Sequence, residues 1–206
     1  MRPVPQVRTQ NAYNCGSYSL WMALESLTGQ DDALIKKIED KAVRNSDSMG
    51  GIFNYVQMER IIEALGYSCR RVKFHDVDSM NDALDNHTND AIIIAYCYDM
   101  LFGGGLNGAE AGDSAHWSVL TGRPAAGSLS LANPHGELRN VSTNNMMLAN
   151  KALKDATFNW RAFVEDNKDD ALFKKECTKY KNNAQELTKR GRMKLTLGGY
   201  LIAVTQ

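Results

Sequence analysis

The run Ala91-Ile92-Ile93-Ile94-Ala95-Tyr96-Cys97-Tyr98 constrains this chain more than any other segment. Its residues are mostly β-branched or aromatic and polar turns bound it on both sides, the signature of a central, buried strand. Such a strand needs neighbours and covering layers, and 206 residues are enough for one domain with a real core. Covering layers come first in the chain. Leu20, Met22, Ala23, Leu24 and Leu27 recur at mixed i+3 and i+4 spacing, which predicts a largely buried helix from Cys15 to about Leu27, stopped at Gly29. Leu34, Ile35 and Ile38 predict a polar helix over Asp31 to Ala42, and Asn45 to Gly51 reads as a loop. Phe53, Val56, Ile61, Ile62 and Leu65 predict an amphipathic helix that stops at Gly66.

Tyr67 to Phe74 reads as a strand of weak alternation, with a short helix around Met80 to Leu84 before the central run. After it, Gly103 to Gly112 is too rich in glycine to hold regular structure alone and reads as a mobile loop ahead of His116. No Lys-Ser/Thr pair follows those glycines, so they do not read as a phosphate cradle. His116 to Thr121 and Leu129 to Ala132 predict a hairpin through the turn that holds Pro124 and Gly127. Asn144 to Gly191 is polar and mostly helical, and Arg192 to Thr205 closes the chain as a pair of strands around Gly198-Gly199. Helices first, then an antiparallel sheet, is the order of the α+β class.

Composition removes several functions. Lys plus Arg and Asp plus Glu stand at 24 each, so no net field draws nucleic acid or an anionic membrane surface. No apolar run approaches the roughly 18 residues of a membrane span, and no apolar stretch follows Met1 to Arg8 to make a secretory signal. Cys15, Cys69, Cys97 and Cys177 are scattered without the paired spacing of a zinc site or a disulfide framework, which implies a reducing compartment. The expectation is therefore a cytoplasmic protein, or one exported without a cleaved signal peptide, that needs neither metal nor organic cofactor. Cys69 and Cys97 read as inert core thiols.

Cys15 is different. It ends a polar, turn-prone run and opens the first apolar helix, where unpaired backbone N–H groups and the positive end of the helix dipole favour a thiolate. Acyl transfer needs a nucleophile, a base, an orienter for that base and donors for the oxyanion. Cys15 supplies the first. His116 opens a strand from which its imidazole projects toward the helix of Cys15, and Asn133 ends the partner strand, within hairpin reach of the outer ring nitrogen. Gln10, just before Cys15, is placed to form an oxyanion hole with the Cys15 backbone N–H. Asp113 is the rival orienter, Trp117 packs beside the site, and His135 reads as a surface turn residue.

The set formed by Gln10 to Leu24, the strand around His116 and the turn Asn133-Pro134-His135-Gly136 resembles the papain-like cysteine peptidases. The likeness is closest to the compact bacteriocin-leader-peptidase branch, in which a glutamine, a Cys-Gly opening a helix, a His-aromatic strand and an Asp-Pro or Asn-Pro turn occur in this order. The segment around Cys15 is also similar to actin-maturation peptidases. The resemblance covers about Thr9 to Gly136 and implies a single papain-like α+β domain over residues 1–206, with a helical insertion at about 144–191 before the closing strands. It implies catalysis by Cys15, His116, Asn133 and Gln10 on an amide bond of a peptide or protein substrate. Asn133 stands where that branch usually has aspartate, the insertion is longer than a minimal domain needs, and no transporter span is present.

Two other readings use the same residues. A glutamine deamidase, transglutaminase or acyltransferase acting on a partner protein, in its own cell or as a delivered effector, would form the same thioester. A papain-like binding module without turnover would keep the fold alone.

Overall fold

A computed structural model describes residues 1–11, 13–45, 51–103, 108–179 and 184–206. Ala91–Cys97 forms the strand β2 at the centre of a six-stranded antiparallel sheet, and all seven of its residues are buried. Around it the order is β1 (Ser68–Lys73), β8 (Tyr200–Thr205), β2, β3 (Ala115–Gly122), β4 (Ser128–Asn133) and β5 (Glu137–Ser142). One face carries Ile93, Ala95, Trp117, Val119, Ile202 and Val204, and it is covered by α1 (Cys15–Thr28), α2 (Leu34–Asn45) and α3 (Tyr55–Ala64). On the other face Ile92, Ile94, Tyr96, Leu120, Leu131 and Leu201 pack against α4 (Val77–Asp85) and α6 (Thr143–Lys151). Each fully buried Ile or Leu here contributes roughly 1.5–3 kcal/mol, so the two-sided cover of β2 is the main source of cohesion.

The expected α1, α2, α3, α4, β1, β2 and the β3–β4 hairpin all form, with boundaries shifted by a few residues. The chain's end differs. Arg192–Lys194 (β7) pairs not with β8 but with Thr157–Asn159 (β6), in a separate two-stranded ribbon. β8 instead slots between β1 and β2, because Leu201, Ile202, Ala203 and Val204 are apolar on both sides and need a place with both faces covered. The turn before β8 needs Gly199 at φ +82.

The strand β5 has no expectation to match, since Glu137 to Ser142 carries no apolar period. It is an edge strand with alternating exposure, where polar residues are normal. The segment expected to be mostly helical contains α6, α7 (Trp160–Asn167), α8 (Ala171–Lys179) and α9 (Ala184–Lys189), but also the β6–β7 ribbon. Trp160, Val164, Phe173, Cys177 and Leu187 make a third small core there. Part of the expected loops, 46–50 and 104–107, lies outside the described residues, while Gly108–Gly112 forms a 3-10 turn rather than a glycine-rich loop. Cys97 is buried as expected, whereas Cys69 on the outer strand β1 is only half-buried.

One polar residue joins the layers. β8 pairs with β2 only as far as Ile93, so the backbone of β2 beyond that point lacks a strand partner on that side. Asn150 of α6, fully buried, fills the gap: its Nδ2 donates to the Ala95 carbonyl at 2.8 Å and the Tyr200 carbonyl at 3.2 Å, and its Oδ1 accepts the Gly199 N–H at 2.7 Å. Truncation orphans buried backbone groups, which costs about 1–3 kcal/mol for each kind of group left unpaired. Asn150→Ala is therefore expected to lower the unfolding free energy in urea by about 2–4 kcal/mol. A loss under about 0.5 kcal/mol, the range of ordinary surface substitutions, would contradict this role.

Candidate active site

Cys15 occupies the first turn of α1 and is half-buried. The residue before it, Asn14, takes the N-cap position but does not cap: its Nδ2 donates to Glu39 Oε1 at 3.2 Å. The first backbone N–H groups of α1 thus have no side-chain cap, and those of Cys15 and Gly16, with that of Trp117 on β3, act on the sulfur to favour its anion. Gly16 is required by packing, because a Cβ there would stand 2.9 Å from the Cβ of Ile52.

These donors do not make a resting thiolate. Burial pushes the Cys15 thiol up to about 11, outweighing the three N–H groups that favour the anion. The expectation of a thiolate stabilised by the helix dipole is corrected on this point. A dipole contributes about 0.3–1 kcal/mol at an exposed end, and desolvation of a thiolate costs more.

His116 is buried, and its Nε2 lies 2.9 Å from Oδ1 of Asn133. An amide oxygen only accepts, so the ring carries its proton on Nε2 and leaves Nδ1 free. Burial holds the imidazole down to about 4, against the opposing effect of the Asn133 hydrogen bond. Cys15 and His116 therefore face a common space as a neutral thiol and a neutral imidazole.

The strand register corrects the expected aim of His116. It pairs with Tyr96, on the face opposite the one covered by α1, while Trp117 takes the α1 side. His116 therefore does not project down onto α1. The two side chains instead both border one cleft of about 200 Å³ at the end of the sheet. Trp117 is buried beside the site as expected, with its Nε1 donating to the Ile52 carbonyl at 2.7 Å.

Asn133, fully buried, is also fixed from a second direction: its Oδ1 accepts the backbone N–H of His135 at 3.0 Å, and its Nδ2 has no hydrogen-bond partner among the described residues. Asp113, the rival orienter, is exposed and spends its carboxylate on the backbone N–H of Asn159 at 2.7 Å. Gln10 borders the cleft, with its Oε1 buried and unpartnered among the described residues. Its backbone N–H donates to the Pro134 carbonyl at 2.6 Å, tying it to the turn after Asn133. The preceding Arg8 forks onto Glu25 of α1 through Nε at 3.1 Å and Nη2 at 2.6 Å, so Gln10 is held from both sides.

The remaining cleft walls are apolar and aromatic: Tyr13, Phe53, Phe158, Trp160, Phe163 and Leu195. Three of these lie on β6 and α7, so the long segment before the closing strands does reach the site. One residue at the site was not foreseen. His135 is exposed, but its ring lies parallel to that of His116, with centroids 4.7 Å apart and 1° between planes.

This arrangement defines a class of thiol–imidazole site on an α+β scaffold, with the sulfur at a helix start and the imidazole on a strand. The chain belongs to the actin maturation protease-like family, whose C-terminal domain profile matches residues 5–123. That match includes Gln10, Cys15 and His116 and ends before Asn133. Among solved structures, the chain is similar to a double glycine motif protease from an AMS/PCAT transporter, crystallised in complex with the leader peptide. The identity is 14%, the TM-score 0.46, and the alignment covers 69% of this chain and 81% of that one. No curated protein matches. Among the described residues no helix is long and apolar enough to cross a membrane.

His116 makes stability depend on acid. Its folded value of about 4 lies below the ordinary 6.5, so as pH falls below 6.5 the unfolded chain takes up the proton first and the folded state loses ground until about pH 4. Between pH 7 and 4.5 the protein should lose about 2–3 kcal/mol more unfolding free energy in urea than His116→Gln does. Equal losses in the two proteins would mean that His116 is not buried in its neutral form.

Proposed function

We propose that this chain is a cysteine peptidase that cleaves an amide bond of a peptide or protein through Cys15, His116 and Asn133. The observation that carries the proposal is a buried His116, hydrogen-bonded to Asn133, that borders one cleft with a thiol at a helix start. Membership in a protease-like family supports it.

The neutral resting pair favours a coupled first step. As Cys15 Sγ attacks the carbonyl carbon, its proton passes to Nδ1 of His116, whose Nε2–H stays on Asn133 Oδ1. The C=O π electrons move to oxygen, and the oxyanion takes the Cys15 backbone N–H and the Gln10 amide as donors. Collapse breaks the C–N bond while the imidazolium gives its proton to the leaving amine, and a thioester remains on Cys15. Water, deprotonated by His116, then attacks the thioester; the carboxylic acid leaves and the proton returns to sulfur. Asn133 carries no charge, so it holds the ring by geometry and contributes less to stabilising the imidazolium than an aspartate does. The aromatic and aliphatic walls suit a bulky apolar side chain on the substrate next to the cleaved bond.

Cys15→Ala is expected to abolish covalent labelling by a peptide carrying a thiol-directed electrophile, with Cys69, Cys97 and Cys177 left unlabelled. Labelling that persists in the variant would remove Cys15 from the mechanism. Intact-mass spectrometry of a treated substrate protein distinguishes the reactions available to a thioester. Fragments indicate peptidase action, whereas an uncut substrate heavier by about one dalton would contradict it in favour of deamidation.

A further inference from the structure

We propose that His135 is a positioning residue of this site, a ring that lies flat on the His116 imidazole, holds its plane and keeps water off the His116–Asn133 pair. The inference rests on the peptidase reading for its catalytic consequence, but its geometry stands alone. The two imidazoles are parallel to within 1° at 4.7 Å between centroids. Tyr98, at the start of α5 (Tyr98–Phe102), sets its ring edge-on to both, 5.5 Å from His116 at 75° and 5.3 Å from His135 at 76°. Tyr96 closes another side of His116 at 5.8 Å. The imidazole is thus boxed by three rings and one amide, and His135 is the only exposed member among them.

The position of His135 is overdetermined. Its backbone N–H donates to the same Asn133 oxygen that receives His116, and residues Thr9 and His135 form an antiparallel bridge. The next residue, Gly136, has φ +85, and a Cβ there would stand 2.3 Å from Thr9 Oγ1, so the turn closes only with glycine. A surface turn this tightly held, around a ring that stacks on a buried imidazole, has a use beyond connection. Parallel aromatic faces are worth about 0.5–1.5 kcal/mol beyond area burial, enough to select one rotamer of His116.

Removing the ring opens one face of His116 to water and lifts the smaller repulsion that His135 exerts on a charged His116, both of which ease protonation, and leaves the imidazole free to turn away from Asn133; a phenylalanine removes only the repulsion. The titratable groups that border His116 are the Cys15 thiol from α1, the Tyr96 phenol from β2, the Tyr98 phenol from α5, the Asp113 carboxylate at the cleft mouth and His135 itself.

The test compares His135→Ala with His135→Phe, which keeps a flat ring. The titration of His116 followed by NMR should move up by about one unit or more toward 6.5 in His135→Ala and by less than about half a unit in His135→Phe. The limiting rate of Cys15 labelling by the peptide electrophile should fall about tenfold or more in His135→Ala, at an unchanged half-saturation concentration, and recover to within about threefold in His135→Phe. Unchanged titration and rate in His135→Ala would overturn the proposal, as would His135→Phe behaving like His135→Ala. Should His135→Ala not fold, His135→Leu, which retains bulk without a flat ring, takes its place. A protein that is never labelled at Cys15 would sink the peptidase reading while the NMR titration still decides the role of His135.

Discussion

The hydrogen bond between His116 Nε2 and Asn133 Oδ1 sets the chemistry of everything around it. It is made in the interior, where an uncharged acceptor assigns the ring proton to Nε2 and burial keeps the ring neutral. A charged partner there would have stabilised an imidazolium and with it a resting thiolate. With asparagine as its partner the site rests uncharged. The same burial that lowers the imidazole raises the thiol, so each group is held in its uncharged form.

That bond is held by the chain's first residues as much as by the sheet. Arg8 is anchored on Glu25 of α1 and lies over the Trp21 ring at 4.0 Å, Thr9 bridges to His135, and Gln10 donates to the Pro134 carbonyl. A single segment therefore links the helix that carries the sulfur to the turn that follows Asn133. The Arg8–Glu25 pair is a bidentate contact in a largely dry place, where loss of Arg8 strands the buried Glu25 carboxylate, while Arg8 also pairs with the exposed Asp32 at 2.7 Å. Its use is to anchor the segment of Thr9 and Gln10, which pairs with the turn after Asn133, onto α1.

Much of this was legible in the residues, and the failures have physical causes. The helix from Cys15 and the central strand were readable because long apolar periodicity reports burial directly. The meeting of His116 with Asn133 was readable because chemically suited residues follow one another in order; the structure joins the two and puts Cys15 and His116 on one cleft. The edge strand β5 was not readable, since Glu137, Arg139 and Asn140 serve an exposed edge as well as they serve a loop. The ribbon of Thr157–Asn159 with Arg192–Lys194 is three residues long on each side, too short for a period to emerge. The face chosen by His116 depends on strand register, and a shift of one residue reverses it. The protonation state of Cys15 depends on how much water the packed walls exclude, a tertiary quantity that no helix-start pattern encodes. His135 looked like a turn residue because a turn is where it sits, and only the fold reveals the ring beneath it.

The most direct measurement is a long-range proton–nitrogen correlation spectrum of the nitrogen-15-labelled protein at pH 7, with His116 assigned through His116→Gln among the four histidines of the chain. A neutral His116 ring protonated at Nε2, with Nδ1 bare, is the predicted result. An imidazolium at that pH, or a ring protonated at Nδ1, would contradict the account at its foundation.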